Sequence, residues 1–206
     1  MDGVLIDSEE CICEAAIRMF AERGLKVDRE DFKPFVGMGE NRYLGGVAEK
    51  YGFEFHLEED KARTYEIYAE IAPSRLIPLP GVHDFIRHCK SRSLKLAVAT
   101  SADLIKMKIN LAALNLEPRT FDLTINGLEV ERKKPFPDIY LEAARRLGVP
   151  PEECLVVEDA VSGIQAAKAA GCRCLALTTS FPAEKLSEAD WICTNLGDAP
   201  EEAIHW

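Results

Sequence analysis

Leu155-Val156-Val157-Glu158-Asp159-Ala160-Val161-Ser162-Gly163 sets three unlike things in a row: a short apolar run, two adjacent carboxylates and the start of a small-residue helix. A run that is apolar at every position reads as a strand buried on both faces, and the helical pattern over residues 160–170 reads as a crossover. The alternation continues on both sides. Residues 94–99, 121–125 and 172–177 read as further strands, with helices over 103–114 and 137–147 between them. Strand and helix alternating in this way imply an α/β fold, a parallel sheet covered by helices, whose ligands bind beyond the carboxyl ends of the strands.

The first third of the chain is different. Ala15-Ala16-Ile17 with Met19-Phe20 before Gly24, Tyr43-Leu44 with Val47 and Tyr51 before Gly52, and Tyr65, Ile67, Tyr68 and Ile71 before Pro73 carry only helical periodicity. Residues 9–77 are therefore expected to form an all-helical insertion, and residues 1–8 and 78–206 the α/β unit. Residues 190–193 read as an edge strand and residues 198–206 as a short terminal helix.

Composition bounds the function. With 206 residues and 47% hydrophobic content the chain can bury a sizeable core. A net charge of −10 argues against nucleic acid or an anionic membrane as the main partner. No apolar run approaches the roughly 20 residues of a bilayer span, and no basic segment followed by an apolar core opens the chain, so a cytoplasmic location is the default expectation. The seven cysteines lack the paired spacing of a zinc site and read as free, mostly buried thiols.

Four stretches carry residues suited to chemistry. Asp2 opens Asp-Gly-Val-Leu-Ile-Asp-Ser, in which Gly3 allows a tight turn; taken alone, Asp-Gly is also an ordinary turn. Asp7 and Ser8 also fit plain caps of the helix that follows. Thr100 and Ser101 follow an apolar strand and precede a helix, where a hydroxyl and free N–H groups suit a phosphate oxygen, although a helix cap has the same signature. Lys134, in Arg132-Lys133-Lys134-Pro135-Phe136-Pro137-Asp138, sits in a loop stiffened by two prolines and could neutralise a phosphoryl group; such basic runs are also common on solvated surfaces. Glu158 and Asp159 at the end of a buried strand repel each other unless a cation is near, and an all-oxygen set favours Mg²⁺. Solvated loop carboxylates are the plainer alternative.

These four stretches, in this order, resemble the four motifs of the haloacid dehalogenase superfamily, and the helical insertion resembles the C1-type cap of its β-phosphoglucomutase-like branch. The resemblance implies a Rossmann-like core, a Mg²⁺-dependent phosphatase acting through an aspartyl phosphate, and a small phosphorylated metabolite, a sugar phosphate, as substrate. It implies catalytic roles for Asp2, Thr100 and Lys134, with Asp2 as general acid and base. Asp159 becomes a direct metal ligand, with Glu158 and Asp2 completing that set. Cap residues Glu40, Asn41 and Arg42, together with Ser101, become the candidates for substrate binding, with Tyr43 beside them; Arg42 also fits an ordinary surface arginine. A monomer or weak dimer is expected.

Three departures accompany the resemblance. In the superfamily motif a nucleophilic Asp stands two residues before the position of Asp2, at the end of a strand that lies centrally in the sheet. That Asp would sit immediately before Met1, and a parallel sheet lacking its central strand would leave backbone groups unpaired. The polypeptide is therefore expected to include it. Second, Ile12 and Glu40 stand where true phosphoglucomutases of this branch carry a His and an Arg, which favours hydrolysis over phosphoryl transfer between sugar positions. Third, residues 36–46 resemble the cap loop of a plant chloroplast haloacid dehalogenase domain. The alternatives are a sugar-phosphate mutase and a catalytically inactive binding module without the nucleophile.

Overall fold

The computed structural model describes residues 1–36 and 39–205. Gly37 and Met38, within the cap loop singled out above, and Trp206, at the end of the expected terminal helix, lie outside the described residues.

The helical unit consists of α1 (Glu9–Glu22), α2 (Glu40–Lys50) and α3 (Leu57–Arg75). Ala15, Ala16, Met19 and Phe20 recur at helical spacing and bury one face of α1 completely. Phe20 packs edge-on against Phe53 at 5.5 Å between ring centroids, and Phe32 meets Tyr43 at 5.0 Å, so aromatic rings knit the unit together. The pattern predicts that α3 ends before Pro73, yet it continues to Arg75. Pro73 lies in the last turn, where its ring costs only the bond to residue 69, and Leu76 N–H still donates to the Ala72 carbonyl at 2.9 Å.

Beyond it comes α4 (Val82–Ser91), which the sequence reading did not single out; Val82, Ile86 and Cys89 form its buried stripe. There follow β1 (Ala97–Ala99), α5 (Leu104–Ala113), β2 (Leu123–Ile125), α6 (Asp138–Leu147), β3 (Leu155–Glu158), α7 (Val161–Ala169), β4 (Arg173–Leu177) and β5 (Trp191–Cys193). The expected strand over 94–99 is shorter because Leu96 N–H is taken by the Asp122 carboxylate at 2.8 Å. The expected terminal helix is a short 3₁₀ segment, Glu201–Ile204. No helix among the described residues is long and apolar enough to cross a membrane.

All strand pairs are parallel, but the sheet is in two parts. β1 pairs with β2, placing Val98 opposite Thr124, while β3, β4 and β5 lie in that order with Val157 opposite Leu175. Between the edges of β1 and β3 lies an apolar cavity of about 700 Å³, walled by Leu96–Ala99, Leu155–Val157, Phe85 and Ile86 of α4, and Ala143 and Ala144 of α6. Met1, Val4 and Leu5 reach into it from the site end. One hydrophobic cluster runs from Phe20 and Tyr68 in the helical unit to Val98, Leu175 and Leu177 in the sheet, so the insertion and the α/β unit share a core.

β4 is paired on both sides, whereas β1 is paired only with β2. In the 206-residue chain, amide hydrogen exchange should therefore be slowest in β4 and at least about tenfold faster in β1. Equal protection of the two strands would contradict the two-part sheet.

Candidate active site

The carboxyl ends of the strands deliver the site. At the end of β1, Thr100 is buried, its N–H donates to the Ile125 carbonyl at 3.0 Å, and its hydroxyl oxygen accepts from Ala102 N–H at 3.1 Å. The hydroxyl proton is thereby left to donate elsewhere. Ser101, next in the turn, packs its backbone so closely on Gly127 that a side chain there would collide.

At the end of β3, Glu158 is the most heavily bonded group of the site. One carboxylate oxygen accepts from the Lys134 ammonium and from Tyr140 Oη at 2.8 Å; the other accepts from the backbone N–H groups of Asp159 at 3.0 Å and Ala160 at 3.2 Å. Burial works to raise its pKa, but Lys134 and these bonds outweigh burial and hold the carboxyl well below its usual range. The Glu158 side chain folds directly over Gly163, where a Cβ would strike it, which explains the glycine in the first turn of α7. Lys134 is pinned by this pair and lies 5.0 Å from the centre of the Tyr140 ring. Its peptide bond to Pro135 is cis.

Asp159 differs from its neighbour. Ser180 Oγ donates to its Oδ2, Gly3 presses against the carboxylate, and no protein donor reaches Oδ1 among the described residues. Burial, reinforced by the adjacent Glu158 charge, pushes its pKa up to about 6. Thr179 Oγ1 donates to the Gly3 carbonyl, tying the loop after β4 to the opening segment.

Asp2 receives hydrogen bonds from Ser8 Oγ and from Asn110 Nδ2 at 3.1 Å, and its Oδ1 lies 3.6 Å from Lys106 Nζ. Burial opposes ionisation, yet Lys106 and the Ser8 hydroxyl work to keep its pKa below the ordinary value.

The cap candidates separate. Glu40, the first residue of α2, is buried and sits 3.3 Å from Lys106 Nζ; burial raises its pKa. Asn41 accepts from Lys61 Nζ at 2.9 Å, and the same ammonium reaches Asp103 at 3.0 Å. Arg42 does not face the site: its guanidinium pairs with Glu49 at 2.7 Å and covers the Phe35 ring, because its position on α2 turns it to solvent. Tyr43 is buried in the helical unit, donating to Glu9 at 2.8 Å.

The expected metal set is not assembled as three carboxylates. Among the described residues no group of three or more His, Cys, Asp or Glu converges on one point. Glu158 has its oxygens filled by Lys134, Tyr140 and two amides, and Asp2 turns towards Lys106 and Asn110. Asp159 Oδ1, beside the Glu158 charge, has no donor among the described residues, and neither has Asp2 Oδ2, because the partners of Asp2 all meet Oδ1. Such carboxylate oxygens fit a hard divalent cation, with water and phosphate oxygens completing its shell.

Lys106, Asn110, Thr179 and Ser180 were missed by sequence reasoning. The last two follow β4, and the rule that ligands bind beyond strand ends could have found them. Lys106 and Asn110 stand on one helical face, which carried no chemical signal in the sequence.

A sequence profile of the haloacid dehalogenase-like hydrolases matches residues 1–177. The chain belongs to this family. It is 44% identical over 194 residues to the Arabidopsis thaliana protein SUPPRESSOR OF QUENCHING 1, chloroplastic, a match covering 92% of this chain and 18% of that protein's length. It is 36% identical over 171 residues to the phosphorylated carbohydrates phosphatase of Thermotoga maritima, covering 83% and 79% of the two chains. Among solved structures, CbbY from Rhodobacter sphaeroides in complex with phosphate matches with a TM-score of 0.86 at 27% identity, over 99% of this chain and 96% of that one. Within the haloacid dehalogenase-like hydrolases the chain falls in the β-phosphoglucomutase-like subgroup.

The raised pKa of Asp159 has a measurable consequence. Because the folded state holds this proton more tightly than the unfolded chain, the stability it contributes is full below about pH 4 and is lost as pH rises through about 6. In metal-free buffer, Asp159→Asn should gain stability relative to the parent between about pH 4 and pH 7, on the order of 2 kcal/mol by urea denaturation. A difference that does not change with pH would contradict this account of the site.

Proposed function

We propose that this haloacid dehalogenase-like hydrolase is a Mg²⁺-dependent phosphatase of a small phosphorylated metabolite, a sugar phosphate, working through an aspartyl phosphate. The observation that carries the proposal is the meeting, beyond the ends of parallel strands, of Gly3 with Asp159, and of Lys134 with Glu158. Kinship with proteins named as phosphatases supports phosphoric monoester hydrolysis as the reaction class.

The cavity between β1 and β3 supports a strand-borne nucleophile. Its two long walls are unpaired strand edges, and its contents would have to satisfy both. We assign it to an apolar parallel strand of about four residues, at 3.3 Å per residue, that ends in an Asp and leads directly into Met1. The side chain of that Asp, two positions before Asp2, would project on the same side as the Asp2 carboxylate.

In the first half-reaction this carboxylate attacks phosphorus while the bond to the leaving oxygen breaks, and Asp2, carrying the proton taken from water in the preceding turnover, gives it to that oxygen. In the second, Asp2 takes a proton from water, whose oxygen attacks phosphorus; inorganic phosphate leaves and the carboxylate is regenerated. Thr100 donates its hydroxyl proton to a phosphoryl oxygen, and Lys134, held in place by Glu158, supplies positive charge to the transferring group. Mg²⁺, held by Asp159, would neutralise further phosphoryl oxygens. The helical unit of residues 9–77 acts as the cap that excludes water while the intermediate forms.

Release of inorganic phosphate from p-nitrophenyl phosphate by the full-length protein should stop in EDTA and return with Mg²⁺. Lys134→Ala should lower kcat/KM by at least about 10²-fold. Turnover that persists without metal, or survives Lys134→Ala unchanged, would overturn the reading.

A further inference from the structure

The loop between β4 and β5 carries a hydroxyl that the phosphoryl chemistry leaves unassigned. Ser180 is an exposed residue just past the end of β4, yet its Oγ donates to Oδ2 of the buried Asp159. Both ends of the loop are fixed. Thr178 N–H donates to the Cys193 carbonyl at 3.0 Å, and beyond Pro182 a 3₁₀ turn, Ala183–Lys185, leads into the fully buried Leu186. The serine therefore meets the carboxylate from an anchored backbone, with its hydroxyl already in position.

The same oxygen is covered a second time. Gly3 lies so close to Asp159 that a Cβ there would strike Oδ2 first, and Thr179 Oγ1 holds Gly3 in place by donating to its carbonyl. Neighbouring residues of one loop thus act on one carboxylate, Ser180 directly and Thr179 through Gly3. Among the described residues no donor reaches Oδ1. A carboxylate held in this way offers a cation Oδ1 and keeps Oδ2 for the protein.

We propose that Ser180 is a positioning residue that makes Asp159 a one-oxygen ligand and thereby favours Mg²⁺ over Ca²⁺. This rests on the divalent cation of the proposed phosphatase being held by Asp159. Mg²⁺ is small, demands octahedral geometry at roughly 2.0–2.1 Å and keeps several waters, so a single carboxylate oxygen suits it. Ca²⁺ takes about six to eight oxygens and accepts both oxygens of one carboxylate. Without the Ser180 hydroxyl, Oδ2 loses its donor and the carboxylate can turn to present both oxygens. Outer partners of this kind are worth roughly 10–100-fold in metal affinity.

Isothermal titration calorimetry of the full-length protein with MgCl₂ and with CaCl₂ tests this without turnover. In Ser180→Ala the ratio of the Ca²⁺ to the Mg²⁺ dissociation constant should fall about tenfold, chiefly through weaker Mg²⁺ binding. Ser180→Thr keeps the hydroxyl at an exposed position and should hold the parent ratio. A serine that only braces its loop would leave the ratio unchanged in Ser180→Ala, and that result overturns the assignment, as does a ratio lowered equally in Ser180→Thr. If the preference for Mg²⁺ is lost in Ser180→Ala while the parent releases no phosphate from p-nitrophenyl phosphate, the phosphatase reading fails and the role of Ser180 stands. A parent that binds neither cation, or both equally, overturns that role.

Discussion

The Glu158 carboxylate is the fixed point of the site. Its four partners come from three places: the proline-stiffened loop through Lys134, α6 through Tyr140, and the β3 to α7 turn through two backbone amides. A buried carboxylate is costly unless bonded this fully, and breaking such a group by removing one partner leaves an uncompensated charge. Consequently the loop, the helix and the turn are held in one arrangement. Lys134 is aimed, Asp159 keeps Oδ1 clear of protein donors among the described residues, and Gly163 is required where the Glu158 side chain lies over it.

The sheet provides the frame for that fixed point, and its two parts meet across the apolar cavity. Helices α4 and α6 close the cavity, while β4 anchors the larger part through pairing on both sides. Helix α5 carries Lys106 and Asn110 to Asp2 and packs against α3 of the helical unit. A continuous hydrophobic cluster beneath this junction couples the position of the helical unit to the sheet. The helical unit contributes charge through Glu40 and Lys61, and Arg42 remains outside.

Strand ends were legible in the sequence because an apolar run followed by Thr100-Ser101 or Glu158-Asp159 has few other readings in an alternating pattern. The alternation itself placed β1 to β5 and their crossovers. Side-chain direction was less legible. Arg42 and Glu40 are two residues apart on α2, and the periodicity of that helix alone does not say which of them meets the core. Glu158 and Asp159 look equivalent as adjacent carboxylates, yet partners arriving from distant elements hold Glu158 down, while burial and the neighbouring Glu158 charge push Asp159 up. Lys106 reads as a surface lysine until α5 is laid against α3. Its burial is a consequence of packing between two units, which no local pattern encodes.

The proposed reaction requires an Asp immediately before Met1 whose carboxylate attacks phosphorus. The most direct measurement is acid quenching of the full-length protein during turnover of a phosphomonoester with Mg²⁺, followed by mass spectrometry of its peptides. The account predicts one added phosphoryl group on that Asp, removed by hydroxylamine as expected of an acyl phosphate. A phosphoryl group on a Ser, Thr or His instead, or turnover with no covalent species on that Asp even when its hydrolysis is slowed by Asp2→Asn, would contradict it.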